Sequence, residues 1–476
     1  MADGTQAKLV SPVIDSIISR LTESKIKKQV EDHLYNIAVN ENEIDKETIA
    51  ERFLSWARVE KNLKIVSADV PSRVLPNDRT GIVHDVKVFV KYGPDDKVYD
   101  SNKNIRERVA RGNAILQLTN KSPRTFCVLQ AMKKFTGGLG DDDDRETGDM
   151  MVWQKYFTKP IEETDFVVST CKANGEAAHL SCIEVDGEYV LCGGSKNVHL
   201  LFKNKADIDN YVESRYRIAT EICHTVMEFL DRLESMQRTE LLAFLVASRY
   251  TAVFEILSPL HQHVVDLTHL KSPQLKFITW TKCELEASEK LQHLNVVPPH
   301  VGIEIARCLG LDPVDYEIME MKDLEPHIKQ IRQGFNTEGA VLYFHDNKGQ
   351  VIGLLKKKST WYIICRAIRE KVKNAVSSMQ RNPNTFSISR SLNQAEKRIK
   401  EIQQWLGLDD PTTREWMRLG SACVKWVIHE VEQGTLTKEE VADLFPVYWN
   451  RFLSETGNSD KVNVTDNSTD VGACKS

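Results

Sequence analysis

Residues 169–177 read STCKANGEA, and the fold is best interpreted outward from the lysine in this stretch, Lys172. An apolar, β-branched run precedes it at 166–168, and a second run at 183–185 leads into Asp186-Gly187, a dipeptide typical of tight hairpin turns. Lys172 is therefore predicted at the end of a strand, just before a glycine that lets the backbone approach a ligand closely. A lysine held there, partly desolvated and beside other cations, can lose its proton and attack phosphorus or a carbonyl carbon. The alternative is a surface lysine in a polar loop.

The composition is that of a soluble globular protein of two to four domains. The chain has 476 residues, 28% of them charged and 41% hydrophobic, with a net charge of -5. Any nucleic-acid surface must therefore be local. The ten cysteines contain no C-x-x-C pair, which indicates reduced thiols and a place in the nucleus or cytoplasm. We expect no membrane span, since no apolar run reaches ~18 residues, and the start has no signal-peptide pattern.

The hydrophobic period changes several times along the chain. It is helical to about residue 60 and strand-like from about residue 80. It is helical again from residue 206 to about 248, strand-like from there to residue 358, and helical from Trp361 onward. The predicted fold class is α+β, in which antiparallel sheets with flanking helices follow a helical N-terminal layer and precede an all-α C-terminal domain. The predicted division is 1–75, a helical N-terminal region; 76–365, the sheet domain; 366–455, a helical C-terminal domain; and 456–476, a polar tail expected to be disordered.

Several charged residues near predicted strand ends suit a polyphosphate substrate. Lys196, Lys356 and Lys358 are candidate phosphate ligands, and Lys356 and Lys358 fall on one face of a strand. Glu255 and Glu338 stand within apolar strands, where a carboxylate is costly unless it is paired, hydrogen-bonded or close to a metal ion. Magnesium bridging phosphates needs such carboxylates. For each residue alone, a snorkelling lysine or a paired glutamate is the competing interpretation.

A run of four aspartates, residues 141–144, also has two interpretations. Its negative charge would suit a metal ion, but four consecutive aspartates do not define a ligand geometry. We therefore expect a solvated loop.

The ordered series resembles the covalent nucleotidyltransferases, the superfamily of ATP-dependent ligases and messenger-RNA capping enzymes. The segment from Lys172 to Glu176 is similar to their nucleotide-accepting motif. Three further segments follow in the superfamily's order, namely Phe254-Glu255, Glu338-Gly339 and Leu355-Lys356-Lys357-Lys358. This resemblance implies that residues 76–365 form an adenylyltransferase (ligase) domain.

Within that superfamily the chain is most similar to the RNA ligase family typified by the bacteriophage tRNA-repair ligase. The segments that carry this likeness are Arg111-Gly112, 133–138 (with Thr136 in place of the usual asparagine), Gly194-Ser195-Lys196, 254–259 and 358–362. The chain also resembles the stand-alone metazoan 5′-phosphate RNA ligases described from lancelets. The motifs cover roughly residues 80–365 and neither helical flank.

The resemblance implies a role for each matching residue. Lys172 would attack the α-phosphate of ATP, and Glu338 would anchor magnesium or manganese. Asn174 stands where the superfamily usually has aspartate; being neutral, it cannot tune the pKa of the lysine by charge. The residues implied in binding ATP or AMP are Arg111, Phe135, Asn174, Glu176, Lys196, Glu255, Lys356, Lys358 and Tyr362.

The implied activity is sealing of RNA 5′-phosphate and 3′-hydroxyl ends, in tRNA splicing or RNA repair. The implied partners are RNA with broken ends, such as tRNA halves, and a separate end-healing kinase and phosphodiesterase. The sequence has no P-loop motif and only one His-x-Thr/Ser motif of the phosphodiesterase type, at His179. The alternatives are a non-catalytic RNA-binding protein with a ligase-like core, and a DNA ligase or capping-type enzyme, although no strand-rich segment after Lys358 suggests their OB-fold.

Basic residues after the last motif are candidates for RNA binding. Lysines and arginines on helices beside an active site can follow RNA phosphates. Interleaved glutamates leave a plain solvated face as the alternative. The candidates are Arg366, Arg369, Lys371 and Lys373.

Overall fold

The structure, a computed structural model, describes residues 11–21, 24–39, 46–135, 153–285 and 294–459. The elements before residue 131 are α1 (Ser11–Ser19), α2 (Ser24–Val39), α3 (Lys46–Val59), β1 (Leu63–Asp69), β2 (Gly81–Val88), α4 (Asp96–Ser101), α5 (Lys103–Arg108), β3 (Asn113–Leu118) and β4 (Arg124–Gln130).

The middle of the chain carries most of the remaining strands. Its elements are β5 (Phe166–Cys171), β6 (Glu176–Val185), β7 (Glu188–Ser195), β8 (His199–Phe202), α6 (Lys205–Ile208), α7 (Arg217–Arg232), α8 (Ser235–Ser248), β9 (Thr251–Leu257) and β10 (Gln274–Thr281).

The last third begins with mixed elements and ends in helices. Its elements are α9 (Pro299–Cys308), β11 (Tyr316–Glu320), α10 (Leu324–Arg332), β12 (Gly339–His345), β13 (Val351–Lys358), α11 (Thr360–Arg381), α12 (Ile388–Leu406), α13 (Asp410–Gln433), α14 (Lys438–Asp443) and α15 (Phe445–Glu455).

The strands form three antiparallel sheets, which we call the first, second and third sheets. Their strand orders are β1-β2-β3-β4, β10-β9-β6-β7-β8 and β11-β5-β12-β13. The β6–β7 hairpin turns at Asp186 and Gly187, whose φ angles of 49° and 85° are the left-handed pair that a two-residue turn requires. The predicted α+β class with antiparallel sheets is confirmed.

Alternation along β6 explains how the second sheet is buried on both faces. Leu180 and Cys182 pack with the helices α7, α8 and α9, whereas Ile183 and Val185 pack with Leu116 of the first sheet. The first and second sheets therefore face each other across one apolar layer, and helices cover the far side of the second sheet.

The N-terminal helices are a layer on this core. Val30 and Leu34 of α2 are fully buried in the cluster that α8 and α9 form, as their helical spacing predicts. Residues 63–69, however, are not helical. They form β1, which pairs along its whole length with β2 and so carries the first sheet across the predicted boundary at residue 75.

The C-terminal helices have a core of their own, centred on buried residues such as Trp416 and Tyr448, and the predicted all-α character of this region is confirmed. Helix α11 runs across the predicted boundary between residues 365 and 366. The four-part division itself stays a prediction. Of the predicted disordered tail, Asn458 is buried and accepts a hydrogen bond from Arg418 at 2.7 Å, so order extends past residue 455. The tail beyond residue 459 lies outside the described residues.

Candidate active site

Lys172 follows β5, at the strand end that the sequence predicts. Its backbone N–H donates to the carbonyl of Gly339 at 2.9 Å, and the β5–β12 register places Ala340 opposite Cys171. Glu338, the residue just before β12, is thereby brought beside the lysine. Lys172 Nζ lies 3.0 Å from Glu338 Oε1, with the two side chains 19% and 6% exposed.

Two carboxylates decide the protonation of Lys172. Burial lowers the pKa of Lys172, but the negative charges of Glu338 and Glu255 outweigh burial and hold the pKa above its usual value. The lysine is therefore an ammonium ion at neutral pH in the ligand-free protein. Burial raises the pKa of Glu255, whose carboxylate accepts a hydrogen bond from the backbone N–H of Gly175 at 3.1 Å.

Gly175 is required by the fold, and the close approach to a ligand that the sequence suggests for it stays a prediction. Strand β6 begins here beside β9, with Glu176 opposite Ile256 and Ala177 opposite Glu255. A Cβ at position 175 would collide with the carbonyl oxygen of Ile256. The glycine thus lets the Lys172 loop enter the second sheet next to Glu255.

Asn174 connects the elements of the site through four hydrogen bonds. Its Nδ2 donates to Glu338 Oε2 at 2.7 Å and to Tyr362 Oη at 3.1 Å. Its Oδ1 accepts from the backbone N–H groups of Val264 and Val265, both at 3.1 Å. An aspartate has no N–H to donate and would face the Glu338 carboxylate with a second negative charge. The neutral side chain is therefore what this arrangement needs. We call Lys172, Asn174, Glu255, Glu338 and Tyr362 the Lys172 pocket.

The C-terminal helices hold one wall of the Lys172 pocket. Tyr362 lies in the first turn of α11, which Ser359 caps through its side chain. The loop that carries Val264 and Val265 is fastened to the same helices, because the Gln262 N–H donates to the carbonyl of Asp443 at 2.6 Å and Asn450 donates to Asp266 at 2.9 Å.

The lysines of β13 approach the Lys172 pocket from the third sheet. Antiparallel pairing sets Lys356 opposite Val341 and Lys358 opposite Gly339, so the two lysines share a face as predicted. Lys358 is buried, and its charge acts on Tyr362. Lys356 Nζ lies 4.6 Å from the centroid of the Phe135 ring, which is a cation–π distance. Phe135, one of the residues implied in binding ATP or AMP, therefore lies beside the same strand.

Arg111 and Lys196 meet at a residue that the sequence did not single out. One nitrogen of Arg111 lies 2.7 and 2.9 Å from the two oxygens of Asp95, and Lys196 Nζ lies 3.0 Å from Asp95 Oδ2. Although burial opposes ionisation, the two cations hold the pKa of Asp95 below its usual value. We call these three residues the Asp95 clamp. Its only sequence signal is an Asp-Asp pair in a loop, which is typical of any solvated turn.

The strand register relates the Asp95 clamp to the Lys172 pocket. Ser195 pairs with Ala178, so Lys196 follows β7 beside the start of β6, close to Glu176 in the sheet. A Cβ on Gly112 would touch the His179 ring, so the segment after Arg111 packs directly on β6. The Asp95 clamp and the Lys172 pocket thus lie at neighbouring strand ends, on the same side of the molecule.

Glu176 is exposed and accepts a hydrogen bond from His263 at 3.1 Å. That contact, and the positive charge that histidine carries when protonated, lower the pKa of Glu176. Its side chain thus faces His263, and its implied role with ATP stays a prediction.

The basic residues of α11 do not all share one face. At 3.6 residues per turn, Arg366, Arg369 and Lys373 continue the line of Tyr362, whereas Lys371 lies about half a turn away. Arg366 is exposed, and its charge opposes protonation of Lys172. Arg369 donates to the carbonyl of Ala442 at 3.2 Å. RNA binding by these residues stays a prediction, and Lys371 does not fit the same line.

His179, the histidine of the single phosphodiesterase-type motif, is a buried residue of the protein core. It is buried in β6, its Nδ1 lies 3.3 Å from His199 Nε2, and His199 Nδ1 lies 2.6 Å from Asp85 Oδ1. Burial lowers the pKa of His179 to about 3, so the ring is neutral at physiological pH.

The carboxylates near Lys172 suit a metal ion that binds together with substrate phosphates better than one held by the protein alone. Within the described ranges, no group of three or more histidine, cysteine, aspartate or glutamate side chains is arranged to hold a metal ion. Magnesium is commonly held by one or two carboxylates together with substrate phosphates. Glu338 fits that pattern. Residues 136–138 and the aspartate run at 141–144 lie outside the described residues.

The fold and site together define an α+β protein with a lysine at a strand end, in contact with one carboxylate and within the field of a second. Residues 80–369, more than half of the chain, match a family described as "Domain of unknown function (DUF7920)". The chain belongs to this family.

Comparison with characterised proteins adds little beyond the family. No curated protein sequence matches the chain. Among solved structures, a mutant Naegleria gruberi RNA ligase with ATP and Mn is similar at 11% identity and a TM-score of 0.28, covering 64% of this chain and 98% of that chain. That score is too low to establish a shared fold. No helix in the described part of the chain is long and apolar enough to cross a membrane.

Proposed function

We propose that the protein is an ATP-dependent RNA ligase that works through a lysyl-AMP intermediate on Lys172. The observation that carries the proposal is the setting of this lysine, 3.0 Å from Glu338 and within the field of Glu255 at a strand end. A plain surface lysine would not contact one buried carboxylate and lie within the field of a second. The basic residues Lys356 and Lys358, on the strand beside Glu338, support a polyanionic substrate.

In the first step, the lone pair of Lys172 Nζ attacks the α-phosphorus of ATP. The nitrogen–phosphorus bond forms as the bond to the leaving pyrophosphate breaks. Lys172 must first lose a proton to water, since Glu338, whose Oε1 lies 3.0 Å from Nζ, would hold the metal ion and cannot also keep that proton. Once Glu338 no longer balances the ammonium charge, burial favours the neutral amine.

Magnesium, when bound, supplies positive charge that stabilises the phosphates and the departing pyrophosphate. Glu338 is the residue that would hold it. Arg111, Lys196, Lys356 and Lys358 would bind phosphate oxygens, since lysine and arginine stabilise charge that develops during phosphoryl transfer.

In the second and third steps, AMP passes to the RNA and is then displaced. An oxygen of the RNA 5′-phosphate attacks the same phosphorus, and Lys172 Nζ leaves and regains its proton. The RNA 3′-hydroxyl then attacks the activated 5′-phosphate, its proton is released, and AMP departs as the phosphodiester forms. End healing by a separate kinase and phosphodiesterase, action on tRNA halves, and the closer similarity to the lancelet ligases remain parts of this proposal.

The test offers the protein tRNA halves with defined ends, ATP and magnesium. We expect joining of a 5′-phosphate to a 3′-hydroxyl, no joining of a 5′-hydroxyl, and ATP-independent joining of RNA that already carries a 5′-adenylate. Matched substrates with and without a 2′-phosphate define the 3′-end requirement. RNA binding without adduct or joining would contradict an enzyme, and preference for GTP or nicked DNA would identify another nucleotidyltransferase.

A further inference from the structure

Asp95 holds two cations that the proposed reaction assigns to phosphates. Its Oδ1 and Oδ2 accept from Arg111 at 2.7 and 2.9 Å, and Oδ2 also accepts from Lys196 at 3.0 Å. The Asp95 side chain is 24% exposed, so solvent and anions can reach this group. Arg111 also has a buried Nε without a hydrogen-bond partner among the described residues.

Helix α4 does not need the Asp95 carboxylate as a cap. Asp95 occupies the N-cap position of α4, but its side chain makes no capping hydrogen bond. Only its backbone carbonyl serves the helix, accepting from the Val98 N–H at 3.0 Å. Replacement by asparagine preserves that bond and the size of the side chain, so it changes the charge between Arg111 and Lys196 and little else.

The two cations are held by separate elements that meet at Asp95. Lys196 follows β7, and Arg111 precedes β3, with its backbone N–H donating to the carbonyl of Met132 at 2.9 Å. A carboxylate that bridges an arginine and a lysine resembles a phosphate group in charge and in hydrogen-bond acceptors.

We propose that Asp95 competes with polyphosphate for Arg111 and Lys196. The carboxylate holds the two cations in the ligand-free protein, yields them to the β- and γ-phosphates of ATP, and takes them back when pyrophosphate leaves. A polyphosphate with several negative charges displaces one carboxylate, whereas AMP bound to Lys172 has no β-phosphate to do so. This inference rests on the proposed function, and it makes Asp95 a residue that opposes reversal of lysyl-AMP formation.

The test is calorimetric titration of the intact protein with inorganic pyrophosphate and magnesium. Three variants are compared with the wild type: Asp95→Asn, Asp100→Asn and Arg111→Ala. Asp100→Asn is the matched control, because it removes one charge from the same helix, where Asp100 contacts Lys155 and Tyr156. Each variant is first checked for unchanged circular dichroism.

We expect Asp95→Asn to bind pyrophosphate about tenfold more tightly than the wild type, the scale of one charge-assisted hydrogen bond near a solvated surface. Asp100→Asn should stay within about twofold, and Arg111→Ala should bind more weakly. Unchanged or weaker binding by Asp95→Asn overturns the inference, since Asp95 would then orient the cations instead of competing for them. Unchanged binding by Arg111→Ala overturns it as well.

A second measurement separates this inference from the proposed function. Isolated lysyl-AMP protein is mixed with pyrophosphate, and ATP release is timed; Asp95→Asn should revert about tenfold faster at subsaturating pyrophosphate. An equal or slower rate would contradict the role in reversal. If no lysyl-AMP forms at all, the proposed function fails, while the pyrophosphate titration still decides whether Asp95 competes with the anion.

Discussion

The Lys172 pocket and the Asp95 clamp both pair cations with carboxylates, but they are built on different principles. The Lys172 pocket is enclosed, and neutral groups fix its charges: Asn174 alone makes four hydrogen bonds, to Glu338, Tyr362 and two backbone N–H groups. The Asp95 clamp is half open to solvent and consists of one carboxylate between two cations. The pocket is thus organised before any ligand arrives, as catalysis requires, whereas the clamp can exchange its carboxylate for another anion.

The largest expected effect tests the charge in the Lys172 pocket. Glu338→Gln keeps the size and a hydrogen-bond acceptor for Asn174 but removes the charge beside Lys172 and the anchor for magnesium. We expect single-turnover formation of lysyl-AMP, measured with labelled ATP, to slow by about 10²–10³-fold. Glu184→Gln, an exposed change on β6, is the control. Equal rates for the two variants would mean that Glu338 does not serve the reaction.

The second prediction tests why position 174 is neutral. Asn174→Asp loses the donor to Glu338 and Tyr362 and sets two carboxylates against each other. We expect the free energy of unfolding to fall by about 2 kcal/mol in urea titrations. Asn104→Asp, exposed in the first turn of α5, should change it by less than about 0.5 kcal/mol. Equal stability of both variants would show that the four bonds of Asn174 do not constrain the pocket.

A smaller effect is expected at the Asp95 clamp. Lys196→Ala removes one of two cations that would bind phosphates remote from the reacting phosphorus. We expect the KM for ATP to rise about tenfold, with kcat nearly unchanged. Lys203→Ala, which removes a lysine paired with Glu188, is the control. A fall in kcat without a change in KM would mean that Lys196 stabilises the transition state. The Asp95 clamp would then not differ from the Lys172 pocket in its role.

The smallest expected difference between the Lys172 pocket and the Asp95 clamp is the pH at which their carboxylates gain a proton. Burial raises the pKa of Glu255 above 4.5, whereas Arg111 and Lys196 hold the pKa of Asp95 below 3.8. As pH falls, Glu255 should therefore gain its proton first. The Asp95 ion pairs contribute stability above pH 3.8, and that contribution is lost as pH falls through the lower folded-state pKa. Burial of ionised Glu255 costs stability at neutral pH, and acidification relieves that cost.

Carboxyl-carbon NMR of protein labelled in aspartate and glutamate measures this order directly. The Glu255→Gln and Asp95→Asn variants assign the two signals. Titration of Asp95 before Glu255 would contradict the electrostatics of both groups.

The residues that the sequence predicts best are those fixed by local pattern. The position of Lys172 at a strand end, the β6–β7 hairpin and the shared face of Lys356 and Lys358 all follow from period-two alternation and turn residues. The structure confirms these features because sheet register is set by the same alternation.

What the sequence could not predict depends on contacts between distant segments. Asp95 meets Lys196 across 101 positions, and Asn174 accepts hydrogen bonds from residues 90 and 91 positions later in the chain. No local pattern encodes such partners. The need for glycine at position 175 has the same origin, since the atom that a side chain would strike belongs to β9. Strand β1 was missed because helix α3 comes directly before it and its pairing partner β2 follows only after a loop.

The most direct test of the account is to locate the AMP. Wild-type protein, Lys172→Arg and Lys172→Ala are incubated with ATP and magnesium, digested, and mapped by tandem mass spectrometry. Arginine keeps the positive charge beside Glu338 but is not deprotonated under these conditions and cannot attack phosphorus, so folding and charge are controlled. We predict one AMP-modified peptide in the wild type, with the AMP on Lys172, and none in either variant. AMP on another residue, or equal modification of the variants, would contradict the assignment of Lys172 as the nucleophile.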